Sequence, residues 1–164
     1  MIKKLHFDRN FWIKFWATGG LGYYLPWEWS GIYGAFLGLG LSLFLNPLSM
    51  LLKVIISLIL VIIGIPLCTR AEKLLNRGID PAAINFDEII GVQFSNIWFN
   101  LFQTVSIFHF NIPLWFLLII IYGIFDVLEP FPIKRIEKLI GGWGIVIDDL
   151  MAGIYTVIIL SLLL

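Results

Sequence analysis

Long apolar stretches, separated by proline, glycine or asparagine, are the feature that most constrains the fold of this chain. Because proline cannot continue a helix from within, the pair Asn46-Pro47, Pro113 and the segment 129–132 each mark a boundary. None of the stretches alternates apolar and polar residues as a strand would. The pattern therefore predicts an all-α bundle with apolar stretches at 33–45, 48–67, 84–108, 114–128 and 145–164.

Charged residues are too scarce for an ordinary soluble domain. They make up 13% of the 164 residues, whereas about 25% is usual, so we predict an integral membrane protein. Several stretches are shorter than the ~20 residues that span a bilayer, so about five helices are expected to span the membrane or enter it partway. One membrane-embedded domain is expected over residues 1–164. The basic, aromatic segment 1–16 lacks the features of a signal peptide and is predicted to lie at the membrane interface.

The distribution of charge predicts the topology. The 11 basic and 11 acidic residues balance, which gives no general attraction to nucleic acid. Lysine and arginine cluster before the first stretch, after the second and after the fourth, whereas the turns at 46–47 and 108–113 contain no acid, lysine or arginine. By the positive-inside rule the three clusters face the cytoplasm. The sequence thus predicts a multi-pass protein of a bacterial-type cytoplasmic (inner) membrane.

Five acids stand at the ends of these stretches. Asp87 and Glu88 open the third stretch, Asp126 closes the fourth, and Asp148 with Asp149 opens the fifth. In the predicted topology each of those ends is cytoplasmic. The sequence therefore predicts that carboxylates from three stretches converge at one membrane face.

The segment "NFDEIIG", residues 85–91, has two interpretations. Asn85 followed three residues later by Glu88 resembles a capping box, which would give the acid a purely structural role. However, Glu88 shares a helical face with Gly91, Ser95 and Asn96 by its spacing. A polar and small stripe in an apolar helix usually faces the bundle interior, which favours a functional position for Glu88.

The other acids also have structural alternatives. At a helix C-terminus the macrodipole opposes Asp126, which suggests either a salt bridge to Lys134 or Arg135 or a metal-binding or catalytic role. N-capping explains one of Asp148 and Asp149. Asp149 is expected to point into the bundle because it shares its face with the small residues Ala152, Gly153 and Thr156.

Several carboxylates at one site repel each other unless a divalent cation is bound, and hard oxygen ligands suit Mg²⁺. Magnesium and phosphate form the simplest chemistry for such a site, with a carboxylate as general base. Lys134 and Arg135 are candidates to hold a phosphate or an anionic phospholipid headgroup, or to anchor the chain at the interface. Thr18, in the glycine-rich run "ATGGLG", is a further candidate phosphate ligand, although such runs are more often turns.

The assembled motifs resemble those of the phosphatidylglycerophosphatase A family. The quoted segments are "ATGGLG", "FDEIIG", "FDVLEPFPIKRIE" and "GGWGIVIDDLMAGIY", and the resemblance covers almost the whole chain. It implies a magnesium-dependent membrane enzyme that dephosphorylates phosphatidylglycerophosphate to phosphatidylglycerol. It places functional positions at Thr18, Asp87, Glu88, Asp126, Asp148 and Asp149.

Three positions depart from the family pattern. Glu129 stands where a lysine is usual, Gly123 where an arginine is usual, and Ser30-Gly31-Ile32 where the family has a PGT segment. Two alternatives therefore stay open besides the phosphatase: an altered homologue that acts on another lipid phosphate or serves in membrane binding or assembly, and an ion transporter.

We assign roles on this basis. The predicted metal ligands are Glu88, Asp126 and Asp149. The predicted catalytic residues, one of which positions or deprotonates the attacking water, are Asp87 and Asp148. The predicted substrate-binding residues are Thr18, Lys134 and Arg135.

Overall fold

The computed structural model describes residues 8–76, 81–107 and 109–164. These residues form seven α-helices, one short 3-10 helix and a β-hairpin. The helices are α1 Arg9–Ala17, α2 Trp27–Leu45, α3 Met50–Leu75, α4 Phe86–Ser95, α5 Leu114–Leu128, α6 Ile133–Ile136 and α7 Gly142–Leu163; the 3-10 helix is Gly22–Tyr24, and the strands are β1 Thr104–Ile107 and β2 Phe110–Pro113.

The fold is mostly helical, as predicted, and two of its described helices are long and apolar enough to cross a membrane. These are α3 and α7, judged by length and composition alone, while the apolar parts of α2 and α5 are shorter. Helix α3 extends beyond the predicted 48–67 because it continues through Pro66 and ends only before Asn76, which adopts a left-handed φ of 50°. Its side chains Leu58, Ile62 and Ile63 are exposed, which is typical of a helix that faces lipid.

The predicted stretch 84–108 is not a single helix. Helix α4 ends at Ser95, and the following turn is stabilised by Lys53 from α3, whose Nζ donates to the carbonyl oxygens of Asn96 at 3.4 Å and Phe99 at 3.3 Å. The Asn96 side chain donates in turn to the Ser42 carbonyl at 2.8 Å. These side-chain contacts satisfy carbonyl groups in the turn after α4 and in the last turn of α2.

A β-hairpin follows this turn, so the prediction of no strand was wrong at this point. Strands β1 and β2 pair antiparallel, with Thr104 opposite Pro113 and Ile107 opposite Phe110. Ser106 donates to the Asn111 side chain at 2.6 Å. The strands have four residues each, and segments this short carry too little alternation to be recognised in a sequence.

Helix α4 lies at the centre of the bundle, where α2, α3 and α7 pack against it. Helices α4 and α7 approach closely because glycines face each other: a Cβ at Gly153 would lie 2.8 Å from the carbonyl oxygen of Gly91. Such small-residue contacts bring two backbones together. As a result the acids on α4 and α7 lie next to each other.

The N-terminal segment is only partly described, because residues 1–7 lie outside the described residues. The rest forms α1, which Asp8 caps by accepting the N–H of Phe11 at 2.8 Å. Helix α1 packs against α3 and leaves Trp12 and Trp16 exposed. Its position at a membrane interface stays a prediction.

Candidate active site

The five acids singled out in the sequence line one cavity of about 470 Å³. Helix α4 contributes Asp87 and Glu88, α5 contributes Asp126, and α7 contributes Asp148 and Asp149. The sequence therefore predicted correctly that acids from three stretches converge, whereas the role of each acid stays a prediction.

Asn85 does not cap α4 with its side chain, so the capping-box alternative for Glu88 was wrong. The Asn85 amide bonds instead to Ser30 of α2: Ser30 Oγ donates to Oδ1 at 2.9 Å, and Nδ2 donates to the Ser30 carbonyl at 2.7 Å. This pair of bonds fixes the start of α4 against α2. Asp87 accepts the backbone N–H of Glu88 at 3.0 Å.

Glu88 points into the bundle with one carboxylate oxygen unsatisfied. Within the described residues its Oε2 is buried and has no hydrogen-bond partner. The α2 backbone passes close to it, since a Cβ at Gly34 would lie 3.0 Å from Oε2. Burial, followed by the neighbouring Asp87 charge, raises the pKa of Glu88 well above its usual value, and burial raises the pKa of Asp87 to about 6. Such a cluster of acids is stabilised by a cation.

Asp149 is buried, as predicted, and its carboxylate is held by a tyrosine. The hydroxyl of Tyr122, which is fully buried, donates to Asp149 Oδ1 at 2.6 Å. Sequence reasoning missed Tyr122. The available signal was its spacing, because Tyr122 lies four residues before Asp126 and therefore on the same face of α5.

Asp148 and Asp149 do not cap a helix, so the N-cap alternative was wrong. Helix α7 begins at Gly142, which places both acids in its second turn. The glycines at the start of α7 lie against α3: a Cβ at Gly142 would clash with the carbonyl oxygen of Ile65 in α3. This segment therefore allows two helices to pack closely.

Asp126 is not paired with a cation among the residues that the structure describes. Its side chain contacts that of Asp149, and in the described part of the chain it forms no ion pair with Lys134 or Arg135. Both of these basic residues are exposed on α6, and the Arg135 guanidinium lies 4.9 Å from the ring centroid of Phe131. The salt-bridge alternative for Asp126 was therefore wrong.

Three carboxylates have the arrangement of a metal site. One oxygen from each of Asp87, Glu88 and Asp149 lies within 4.8 Å of the other two. The donors are all hard oxygens, and Glu88 Oε2 has no hydrogen-bond partner within residues 8–76, 81–107 and 109–164, so the residues fit a hard divalent cation such as Mg²⁺. The cluster contains Asp87, which the sequence assigned to catalysis, and does not contain Asp126, which the sequence assigned to the metal.

The predicted substrate-binding residues are not among the residues that line this cavity. Thr18 lies in a separate pocket with Lys14 and Tyr23, and its buried hydroxyl has no hydrogen-bond partner in the described residues. Two further acids, Glu129 and Glu137, do line the cavity. Sequence reasoning identified Glu129 only as a departure and missed Glu137.

Comparisons with known proteins agree with these motifs. A family model described as Phosphatidylglycerophosphatase A matches residues 15–164. The chain is 31% identical over 148 residues to the Phosphatidylglycerophosphatase A of Haemophilus influenzae, covering 85% of this chain and 79% of that protein. It is 28% identical over 88 residues to a Putative phosphatidylinositol-3-phosphatase of Bacteroides thetaiotaomicron, covering 51% and 49% respectively. No solved structure matches the chain.

Proposed function

Since this chain belongs to the phosphatidylglycerophosphatase A family and is therefore a phosphoric monoester hydrolase, we propose that it hydrolyses phosphatidylglycerophosphate to phosphatidylglycerol and phosphate with Mg²⁺. The observation that carries the proposal is the cavity in which acids from three helices meet. A site made of oxygen ligands is suited to a cation that binds phosphate. The reaction would serve phospholipid biosynthesis.

The residues that would hold the cation are Asp87, Glu88 and Asp149, because their carboxylate oxygens lie close together. When bound, Mg²⁺ neutralises phosphate charge and makes water easier to deprotonate. Asp126 contacts Asp149 and would orient that ligand, which modifies its predicted role as a direct ligand. The hydrogen bond from Tyr122 fixes the same carboxylate.

Asp148 is the best placed general base. It lines the cavity, is half-buried and is not one of the three clustered carboxylates. In the proposed step Asp148 accepts a proton from water while the water oxygen forms a bond to phosphorus. The bond between phosphorus and the glycerol oxygen breaks, the glycerol oxygen takes a proton from solvent water, and Asp148 releases its own proton to solvent.

Substrate binding by Lys134, Arg135 and Thr18 stays a prediction. Lys134 and Arg135 follow Ile133, which lines the cavity, so their cationic groups would meet the anionic headgroup at its rim. Thr18 lies in a separate pocket beside Lys14. The turn that follows Thr18 packs against Asn85, since a Cβ at Gly22 would lie 2.6 Å from Asn85 Oδ1. Thr18 would therefore act on the cavity indirectly, through this turn and the start of α4.

We place the cavity at the cytoplasmic face of a bacterial-type inner membrane. The basic clusters in the sequence and the two long apolar helices support this placement. The acids surround one cavity and are not spread along the helices, which supports a hydrolase over an ion transporter.

The test is phosphate release by purified protein from phosphatidylglycerophosphate in mixed micelles. We expect release with Mg²⁺, no release with EDTA, and a loss of at least about 100-fold in Asp149→Asn. Asp8→Asn, which replaces the acid that caps α1 outside the cavity with another capping residue, should retain full activity. Absence of Mg²⁺-dependent release from every lipid phosphate in a panel would refute the proposal.

A second candidate substrate is another lipid phosphate. Two observations favour it: Glu129 lines the cavity where the family resemblance suggests a lysine, and one relative is named a Putative phosphatidylinositol-3-phosphatase. The panel should therefore include phosphatidylinositol 3-phosphate and phosphatidic acid. If Glu129→Lys raises activity on phosphatidylglycerophosphate while lowering it on another lipid, the native chain prefers the other lipid. If the native chain has no activity on any lipid in the panel and the variant gains activity on phosphatidylglycerophosphate, the native chain is a non-catalytic homologue.

A further inference from the structure

An apolar groove of about 480 Å³ lies between α2 and α5. Its walls include Ala35 and Phe36 on α2 and Trp115, Ile119 and Ile120 on α5. Phe36 and Ile120 are 56% and 42% exposed, so the groove opens toward the outside of the bundle. This volume lies within the range of about 300–1,000 Å³ that is usual for ligand sites.

The groove adjoins the carboxylate cavity. Four residues line both spaces: Gly31, Ile32, Asp126 and Val127. Asp126 is the one ionisable side chain among the described residues of the groove, and it lies at this shared end. A single ligand that occupies both spaces therefore needs a phosphate at one end and a long apolar portion at the other.

We propose that the groove binds an acyl chain of the lipid whose phosphate enters the carboxylate cavity. This inference rests on the proposed function and extends it to the apolar part of the substrate. A chain lying between α2 and α5 buries methylene groups against aromatic and aliphatic side chains. Because the groove opens outward, a lipid enters it sideways from the bilayer while its headgroup reaches the acids.

Gly123 offers a way to fill the groove without disturbing the backbone. It lines the groove in the middle of α5, and a Cβ added there meets nothing within 4 Å. Gly40 on α2 is a matched control, because its Cβ also meets nothing within 4 Å and it is not among the residues that line the groove. Leucine suits a helix interior better than glycine, so both Gly123→Leu and Gly40→Leu should fold.

The first experiment compares two substrates: dioleoyl phosphatidylglycerophosphate and its fully deacylated, water-soluble headgroup. Displacing about two buried methylene groups should raise KM for the acylated lipid about tenfold in Gly123→Leu. The deacylated compound should be hydrolysed equally well by Gly123→Leu and the native protein, and Gly40→Leu should match the native protein on both. An unchanged KM for the acylated lipid in Gly123→Leu would overturn the proposal.

The second experiment does not depend on catalysis. Phosphatidylglycerol with a diazirine at the end of one acyl chain is photo-crosslinked to the purified protein in detergent, and labelled peptides are mapped. We expect labelling of residues 114–128 that Gly123→Leu reduces at least about threefold and Gly40→Leu leaves unchanged. Equal labelling in all three proteins would overturn the groove assignment. Labelling that depends on Gly123 in a protein without phosphatase activity would support the groove and refute the proposed function.

Discussion

At the scale of single residues, the orientation of Asp149 depends on one buried hydrogen bond. The Tyr122 hydroxyl donates to Asp149 Oδ1 at 2.6 Å, and the same carboxylate contributes an oxygen to the three-acid cluster. A hydrogen bond to one oxygen limits rotation of the carboxylate. Tyr122 is thus a positioning residue for a ligand and does not itself need to touch the substrate.

Tyr122→Phe tests this role. The substitution removes the hydroxyl and keeps the ring, so we expect a loss of about 1–2 kcal/mol in the free energy of unfolding. We also expect a roughly 10- to 100-fold weaker affinity for Mg²⁺, because this is the usual effect of losing a group that orients a metal ligand. The measurements are phosphate release against Mg²⁺ concentration and thermal unfolding. Tyr155→Phe is the control, because Tyr155 donates to the Phe131 carbonyl outside the acid cluster. If both variants show native Mg²⁺ dependence, Tyr122 has no positioning role.

At the scale of secondary-structure elements, the short helix α4 is held at both of its ends by side chains from other helices. Ser30 of α2 bonds to Asn85 at its start, and Lys53 of α3 bonds to the carbonyls of Asn96 and Phe99 at its end. A helix of ten residues is marginal by itself. Its position, and with it that of Asp87 and Glu88, therefore depends on these contacts.

Lys53→Met should destabilise the bundle. Methionine retains the apolar length of the side chain but leaves two buried carbonyl groups without their donor, so we expect a loss of about 1–3 kcal/mol in the free energy of unfolding. Denaturation of the detergent-solubilised protein measures it. Lys73→Met, on the exposed side of the same helix, should change stability by less than about 0.5 kcal/mol. A Lys53→Met protein as stable as Lys73→Met would contradict this account of the helix end.

The contact between α4 and α7 makes a second prediction at this scale. In Gly153→Ala the new Cβ would lie 2.8 Å from the Gly91 carbonyl oxygen, so the helices must separate. We expect a loss of about 1–3 kcal/mol in stability and lower phosphatase activity, since Asp149 moves relative to Glu88. Gly40→Ala, which meets open space, should be as active as the native protein and slightly more stable. Equal stability of the two variants would show that this close approach is not required.

The sequence predicted some elements well and others poorly, for identifiable reasons. Helix α5 has the predicted bounds because Pro113 and Pro130 flank it. The interior position of Asp149 followed from its small-residue face. The end of α4 depends on Lys53, which is distant in sequence, and the Asn85 side chain bonds across to α2 and not to its own helix. Contacts of this kind depend on the tertiary fold, so local patterns do not specify them.

At the scale of the whole molecule, the acid cavity and the uncharged hairpin lie at different ends of α5. The helix begins directly after β2, and its last turn carries Asp126 into the cavity. Asn111 in the hairpin and Lys138 after α6 are both exposed. If α5 crosses the bilayer, as the positive-inside rule predicts, these two residues lie on opposite sides of the membrane.

Cysteine labelling tests that arrangement. Cys68 is buried and is replaced by alanine, after which Asn111→Cys and Lys138→Cys are made separately. The reagent is a membrane-impermeant maleimide, applied to cells whose outer membrane is permeabilised and whose inner membrane is intact. It should label Asn111→Cys under these conditions. Lys138→Cys should react only after the inner membrane is disrupted, because the neighbouring Lys134 and Arg135 keep that segment in the cytoplasm. Labelling of both variants in intact cells would contradict the cytoplasmic position of the cavity, and labelling of both only after the inner membrane is disrupted would show that α5 does not cross the bilayer.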